Sequence, residues 1–328
     1  MKFIFRYTFY ALCPAIACTF LFLVTEPLAA QSQGKLILQD DSGRSIWQVG
    51  RFRIFFDLSG EHAVATEDLN RNNVPDFVED VAIQMNVAHH IYCDVIGFPD
   101  PLISARYINL RYIDVRIFGK SKMKGNGTAF DELSSARDKN DKKARSLVIY
   151  ISRDINPRKN VTPAHEYFHQ VQNGTSFFKN SWYYEGTARW AEDSIARIKP
   201  VEGNLEEIGK NLDEPEWLEK LYQSSYDGAG LLWRPLSYIF PDNTDHLPQD
   251  DPILQSRYTD GSPVMQDFHF SGAAFVSRLF RRLGEVDKDA FIEQNYDDWS
   301  EKNQRHYSNN AYIIKAVKDA IGNMQKTD

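Results

Sequence analysis

The alternation of apolar and polar residues changes rhythm several times along this chain, and each rhythm implies a different element. Residues 50–60, GRFRIFFDLSG, alternate as a half-buried strand does. RYINLRYIDVRIFG (106–119) is dense in β-branched and aromatic residues and predicts one long strand or a bent pair, and SLVIYIS (146–152) predicts a compact third strand. Between the first two, DFVEDVAIQMNVAHHIYCDVIGF spaces Phe77, Val78, Val81, Met85, Ala88, Ile91 and Tyr92 at three- and four-residue intervals, the period of an amphipathic helix over 78–93. Residues 120–145 are charged, glycine-bearing and without sustained period, which reads as a mobile loop with at most a short strand at GTAF. Beyond residue 180 the rhythm turns helical, in EGTARWAEDSIARI, SGAAFVSRLFRRLG, DKDAFIEQN and NNAYIIKAVKDAIG, interrupted by a proline- and aspartate-rich loop over 240–263. Strands first and helices afterwards predict an α+β fold, a mixed N-terminal sheet followed by a mainly helical lobe.

The N-terminus has a different character. Lys2 and Arg6 precede about 17 mostly apolar residues, and small residues follow at Ala29 and Ala30. This is the build of a secretory signal peptide cut after Ala30, so the chain is expected to be exported, to periplasm or medium. The remainder, 31–328, is expected to form one domain with an N-lobe over 45–175 and a C-lobe over 176–328. Cys13 and Cys18 fall inside the signal segment, so Cys93 would remain alone, a core thiol on the 78–93 helix with no disulfide partner. A net charge of −7 from interspersed charges gives no reason to expect nucleic acid as a partner, and no stable membrane insertion is expected once the signal is removed.

Candidate chemistry concentrates in VTPAHEYFHQVQNG, residues 161–174. Thr162 and then Pro163 read as a cap and first helical residue, and Gly174 as the C-terminal stop. On the helix between them His165 and His169 are four apart and share a face, with Glu166 one position beyond the first. Two imidazoles so placed can reach one ion, and Glu166 can hold a water beside it as general base. Catalytic zinc commonly takes three protein ligands and leaves a position for water. Glu185 in SWYYEGTARWAED is the candidate third ligand. Glu192, two turns on, falls near the same face and could hydrogen-bond a ligand histidine. Small Gly186 and Ala188 would let this second helix pack closely against the first.

HExxH followed by W-x-x-E-G-x-A resembles the gluzincin metallopeptidases, in which a glutamate on the next helix is the third zinc ligand. The order FRIFFDLSG, DLNRNNVPDFVEDVA, TPAHEYFHQVQ, WYYEGTARWAED further resembles a group of secreted bacterial metalloproteases typified by myxobacterial proteins, over roughly residues 50–195. The resemblance implies a zincin-like fold and a zinc-dependent peptidase acting on a peptide or protein substrate. The gap of fifteen residues from His169 to Glu185 is shorter than in zinc aminopeptidases, and no counterpart of their amine-recognition motif is present. An endopeptidase is therefore expected. The rival is a secreted binding or structural protein that keeps the fold without hydrolysis; the intact Glu166 argues against it, and the lack of an identified oxyanion donor argues for it.

DLNRNNVPDFVE (68–79) sets Asp68, Asn70, Asn72, Asp76 and Glu79 at positions 1, 3, 5, 9 and 12 of a twelve-residue loop, with Val74 offering its carbonyl at position 7. That is EF-hand spacing and predicts calcium, against the alternative of a polar turn before a helix. Asn73 stands where glycine is usual, a position that asks for left-handed backbone. Adjacent His89 and His90 point to different sides of their helix and read as structural. Among His246, His269, Tyr183, Tyr184, Tyr226 and Tyr258, His269 is taken as the transition-state donor.

Overall fold

The computed structural model describes residues 34–37, 43–196, 200–241 and 245–325. The expected signal peptide and its cleavage point lie outside the described residues. Among the described residues no helix is long and apolar enough to cross a membrane.

Six strands form one sheet: β1 (Lys35–Ile37), β2 (Ser45–Val49), β3 (Phe52–Phe56), β4 (Leu110–Phe118), β5 (Gly127–Ser135) and β6 (Arg145–Ser152), in the order β1-β2-β3-β4-β6-β5. β3, β4 and β6 are parallel neighbours, while β1, β2 and β5 run antiparallel to theirs. The parallel centre explains why β4 and β6 read as apolar runs, and it buries β3 along its whole length where its alternation had suggested a half-buried strand. Ile54, Val115 and Ile149 stand side by side in register, and with Phe52, Phe56, Ile113, Ile117, Leu147 and Ile151 they make the sheet's contribution to the core. The opposite face carries a buried ion pair. Arg53 and Asp114 meet at 2.6 Å on neighbouring strands, and Ser146 Oγ donates to the second Asp114 oxygen at 2.9 Å. Burial raises the Asp114 pKa, with Arg53 and Ser146 opposing it. Such a pair adds little net stability but is costly to break from one side.

Helix α1 (Asp76–His89) joins β3 to β4 and runs on into a π-helical turn at His90–Val95. Helix α2 (Thr162–Thr175) follows β6 and packs on α1, β5 and β6. Pro163 lies in its first turn as expected. Thr162, however, is its first residue and not its cap; the Thr162 amide instead donates to Asn160 Oδ1 at 2.8 Å. The second half is helical: α3 (Ser181–Ala191), α4 (Leu205–Asn211), α5 (Pro215–Tyr222), α6 (Arg234–Ile239), α7 (Ala273–Glu293), α8 (Glu301–Gln304) and α9 (Asn309–Met324), with a second π-helical turn at Ala229–Trp233. The α+β expectation is met.

Two expectations are corrected. The 120–145 stretch holds a nine-residue strand, β5, at the edge of the sheet, its pairing with β6 shifting register between Phe130 and Ser134. An edge strand with an irregularity has no clean alternation for a pattern to reveal. Gly186 also serves a different neighbour. A Cβ there would lie 2.6 Å from Trp233 Nε1 and 3.2 Å from the Gly228 carbonyl carbon, so its smallness admits the 228–233 turn. Trp233 stacks on Trp182 at 5.6 Å and donates to its carbonyl at 2.9 Å, fixing that turn against α3.

Candidate metal centre

The two histidines of α2 and the glutamate of α3 come together. His165 Nε2 lies 3.3 Å and His169 Nε2 3.5 Å from the same Glu185 oxygen, Oε2. One ligand atom from each residue falls within 4.8 Å of the others, the arrangement of a His-His-Glu metal-binding group. Both imidazoles are more than nine-tenths buried, and Glu185 is half-buried. The rings stand nearly perpendicular, 89° apart with centroids at 4.7 Å, as two histidines four residues apart on one helix must if their Nε2 atoms are to converge.

What turns them inward is the bonding of the other ring nitrogens. His165 Nδ1 faces Glu192 Oε1 at 2.9 Å, as the spacing predicted, and Arg189 pairs with Glu192 in turn. His169 Nδ1 faces Gln172 Oε1 at 2.6 Å, a partner the sequence reading missed although it lies one helical turn along the same helix. An N–H donated from each Nδ1 leaves the Nε2 lone pair free for an ion. The same Gln172 donates through Nε2 to the Tyr184 carbonyl at 2.8 Å and to Thr187 Oγ1 at 2.6 Å, both on α3. Tyr184 stacks on His169 at 4.0 Å with the planes 9° apart. The residues present therefore fit a divalent ion with nitrogen and oxygen ligands.

Glu166 is buried beside the group. Burial raises its pKa, while His169 and His165 oppose the rise and Glu185 adds to it; the Ala129 amide of β5 also hydrogen-bonds it. Burial pulls His165 down, yet Glu185 and Glu192 outweigh it and the imidazole is pushed up to about 10. Glu185 moves the opposite way, held far below the usual carboxylate range by the two histidines against its burial. Three carboxylates around two imidazoles make a field that draws positive charge into this pocket.

β5 forms the near wall. A Cβ on Gly127 would stand 2.4 Å from Glu166 Oε1 and 2.6 Å from Thr162 Cγ2, so any side chain there would press on Glu166 and Thr162. Asp131, also on β5, is buried and paired with Lys179 at 2.7 Å and with Arg106. Burial would raise its pKa, but those two cations hold it below the usual range. On the other side the Tyr226 ring lies 5.8 Å from that of His165, and its hydroxyl hydrogen-bonds Glu185.

His269 is not brought to this group. It bonds Ser271 Oγ at 2.7 Å, packs on His246, and lines a separate small cavity with Trp190 and Asp193. Of the tyrosines and histidines weighed as donors, Tyr226 turns its hydroxyl to the group, whereas Tyr184 stacks on His169 but bonds Asn173 through its hydroxyl at 3.1 Å. Tyr183 and Tyr184 are core residues, and Tyr258 bonds Gln84 at 2.9 Å.

The 68–79 loop closes around Glu79: Asn70 Nδ2 donates to Oε2 at 2.9 Å and Asn72 Nδ2 to Oε1 at 2.7 Å. Asp68 accepts from the amides of Asn72 and Asn73, and Asn73 takes the left-handed conformation expected at the sixth position (φ 67°). Asp76 departs from the ligand pattern. Its oxygens accept from the Leu69 amide and from Arg158, which makes it the anchor of the α1 N-terminus.

No family model matches the chain, and neither a curated protein nor a solved structure matches it.

Proposed function

We propose that this chain is an exported zinc-dependent peptidase of the gluzincin type that cuts within polypeptides. The observation that carries the reading is the convergence of His165 Nε2 and His169 Nε2 on Glu185 Oε2, each imidazole oriented through Nδ1, with the unspent carboxylate of Glu166 alongside. His165, His169 and Glu185 would hold the ion. When bound, zinc supplies Lewis acidity toward a carbonyl and toward water. Glu166 accepts a proton from the attacking water and returns it to the leaving amine, a role its burial favours by bringing its pKa toward neutrality. Tyr226, whose ring lies 5.8 Å from that of His165 and whose hydroxyl bonds Glu185, would donate to developing negative charge on the substrate oxygen in place of His269. The edge strand β5 runs past Glu166, and an extended peptide lying along that edge would suit cleavage within a chain. In the same reading calcium is a stabiliser, held by Asp68, Asn70, Asn72, the Val74 carbonyl and Glu79.

The test pairs metal analysis with digestion of casein and a peptide library. Wild type should hold zinc and cleave; Glu166→Gln should keep the zinc and lose about 10²–10⁴-fold in rate. A zinc-loaded wild type that cleaves nothing would return the chain to the non-catalytic binding protein. Wild-type turnover in Glu166→Gln would remove Glu166 from the chemistry.

A further inference from the structure

A second group of metal-ligand side chains lies where α1 passes into the π-helical turn. A ring nitrogen of His89, Cys93 Sγ and an Asp100 carboxylate oxygen sit within 4.8 Å of one another. His89 is the last residue of α1 and Cys93 lies four residues on, inside the π turn; an extra residue in such a turn re-aims side chains and often marks a functional position.

The state of His89 is the telling detail. It is more than nine-tenths buried, yet among the described residues its Nε2 has no hydrogen-bond partner, while Asp94 Oδ1 stands 3.7 Å away. The Tyr167 hydroxyl lies 2.7 Å from His89 Nδ1 and 3.6 Å from Cys93 Sγ. In the tautomer with the proton on Nδ1, that hydroxyl accepts from Nδ1–H and donates to sulfur, and Nε2 carries a bare lone pair. It is the same orienting device that Glu192 and Gln172 apply to the α2 histidines. A buried imidazole nitrogen with no partner, 3.7 Å from Asp94 and on a ring grouped with the Cys93 thiol and the Asp100 carboxylate, asks for a cation.

We propose that His89, Cys93 and Asp100, completed by Asp94, hold a second metal ion, a borderline-soft divalent cation of the zinc class. Thiolate and imidazole ligands select such an ion over calcium or magnesium. Binding would form a metal–sulfur bond and release the thiol proton to solvent. Charge is balanced: a thiolate and two carboxylates face a dication and the Arg51 guanidinium, which pairs with Asp100. Asp94 bonds His90 through Oδ2, so Oδ1 is the oxygen on the His89 side, and its half-exposed side chain gives the ion a path from solvent. Asp100 also caps the short helical turn at Pro101–Ile103 through Oδ1. An ion here would tie that turn, the π turn and the end of α1 together.

Cobalt distinguishes this site from the first, because only this one contains sulfur. The purified full chain carrying Cys13→Ser and Cys18→Ser, which retains Cys93 as its single cysteine, is loaded with Co²⁺ under reducing conditions. We expect two cobalt ions per chain and a sulfur-to-cobalt charge-transfer band in the near ultraviolet. The band should persist in His165→Ala/His169→Ala, which should hold one ion. It should vanish in Cys93→Ala and fall sharply in His89→Gln, each still holding the α2–α3 ion. A loaded chain without the band overturns the proposal whether or not the variants fold. So does a Cys93→Ala chain that keeps both ions. Failure of peptide hydrolysis bears on neither outcome.

Discussion

Replacing Gly127 by alanine should damage the proposed chemistry without touching a metal ligand. The new methyl would stand 2.4 Å from Glu166 Oε1 and 2.5 Å from its Cγ, where ordinary contact begins near 3.4 Å. Something must move by about 1 Å. Glu166 is enclosed at 6 % exposure and Thr162 Cγ2 blocks at 2.6 Å, so the carboxylate and the strand share the displacement. A misplacement of about 1 Å at a reacting group costs on the order of 10²-fold in rate, roughly 2.7 kcal/mol in the barrier. Gly125→Ala, with nothing within 4 Å of its Cβ, is the matched control two residues away. The assay is steady-state peptide hydrolysis beside zinc content by elemental analysis. Gly127→Ala should lose kcat and keep zinc, and Gly125→Ala should match wild type. If Gly127→Ala turned over within a factor of three of wild type, either Glu166 is not the proton carrier or β5 does not press on it.

Three further outcomes follow from other parts of the molecule. Under chelator titration Glu185→Ala should release metal more readily than Glu192→Ala, whose loss of an orienting bond should cost roughly 10–100-fold in affinity; the reverse order would exchange their roles. Asp287, which accepts from the Phe177 amide, is pushed by burial from 3.8 up to about 6, so the folded state holds its proton more tightly than the unfolded one. Its stabilising contribution is therefore complete below about pH 4 and lost as pH rises through 6. Asp287→Asn should gain up to about 3 kcal/mol on wild type between pH 4 and pH 7 in thermal or urea melts, and a constant difference would refute it. Calcium at about 100 times its dissociation constant should add roughly 2.7 kcal/mol to wild type but nothing to Asp68→Ala or Glu79→Ala, as read by melting temperature; a flat wild-type response to about 10 mM would make 68–79 a polar turn.

The candidate His-His-Glu group was legible because its information is local. His165, Glu166 and His169 lie within one turn and a half of helix, and Glu185 and Glu192 within two turns of the next, so periodicity alone aligns each set. The positions of β3, β4, β6 and α1 were legible for the same reason, since buried parallel strands write their burial into composition. What failed depends on distance. β5 sits at an edge where its side chains face water on one side, and its one buried charge, Asp131, is tolerated only through Lys179 and Arg106, residues far away in sequence. Tyr226 reaches the ligands from beyond α5, and no pattern within its own segment announces that. His269 was taken as the donor from its segment alone; its neighbours, Ser271 and His246, lead elsewhere. Asp76 fitted the loop count, but Arg158 and the Leu69 amide claim it.

Gln172 has one consequence for how this chain can change over time. A single amide grips the His169 imidazole with its oxygen and the backbone of α3 with its nitrogen. Ring orientation on one helix and separation from the next are thus not independent variables. A drift of α3 would be felt as a twist of the imidazole, and a rotated imidazole as a strain on α3. Insertions in the 176–180 connection would have to preserve the gap that one glutamine side chain spans. Lineages descending from this sequence should hardly vary in length between His169 and Glu185.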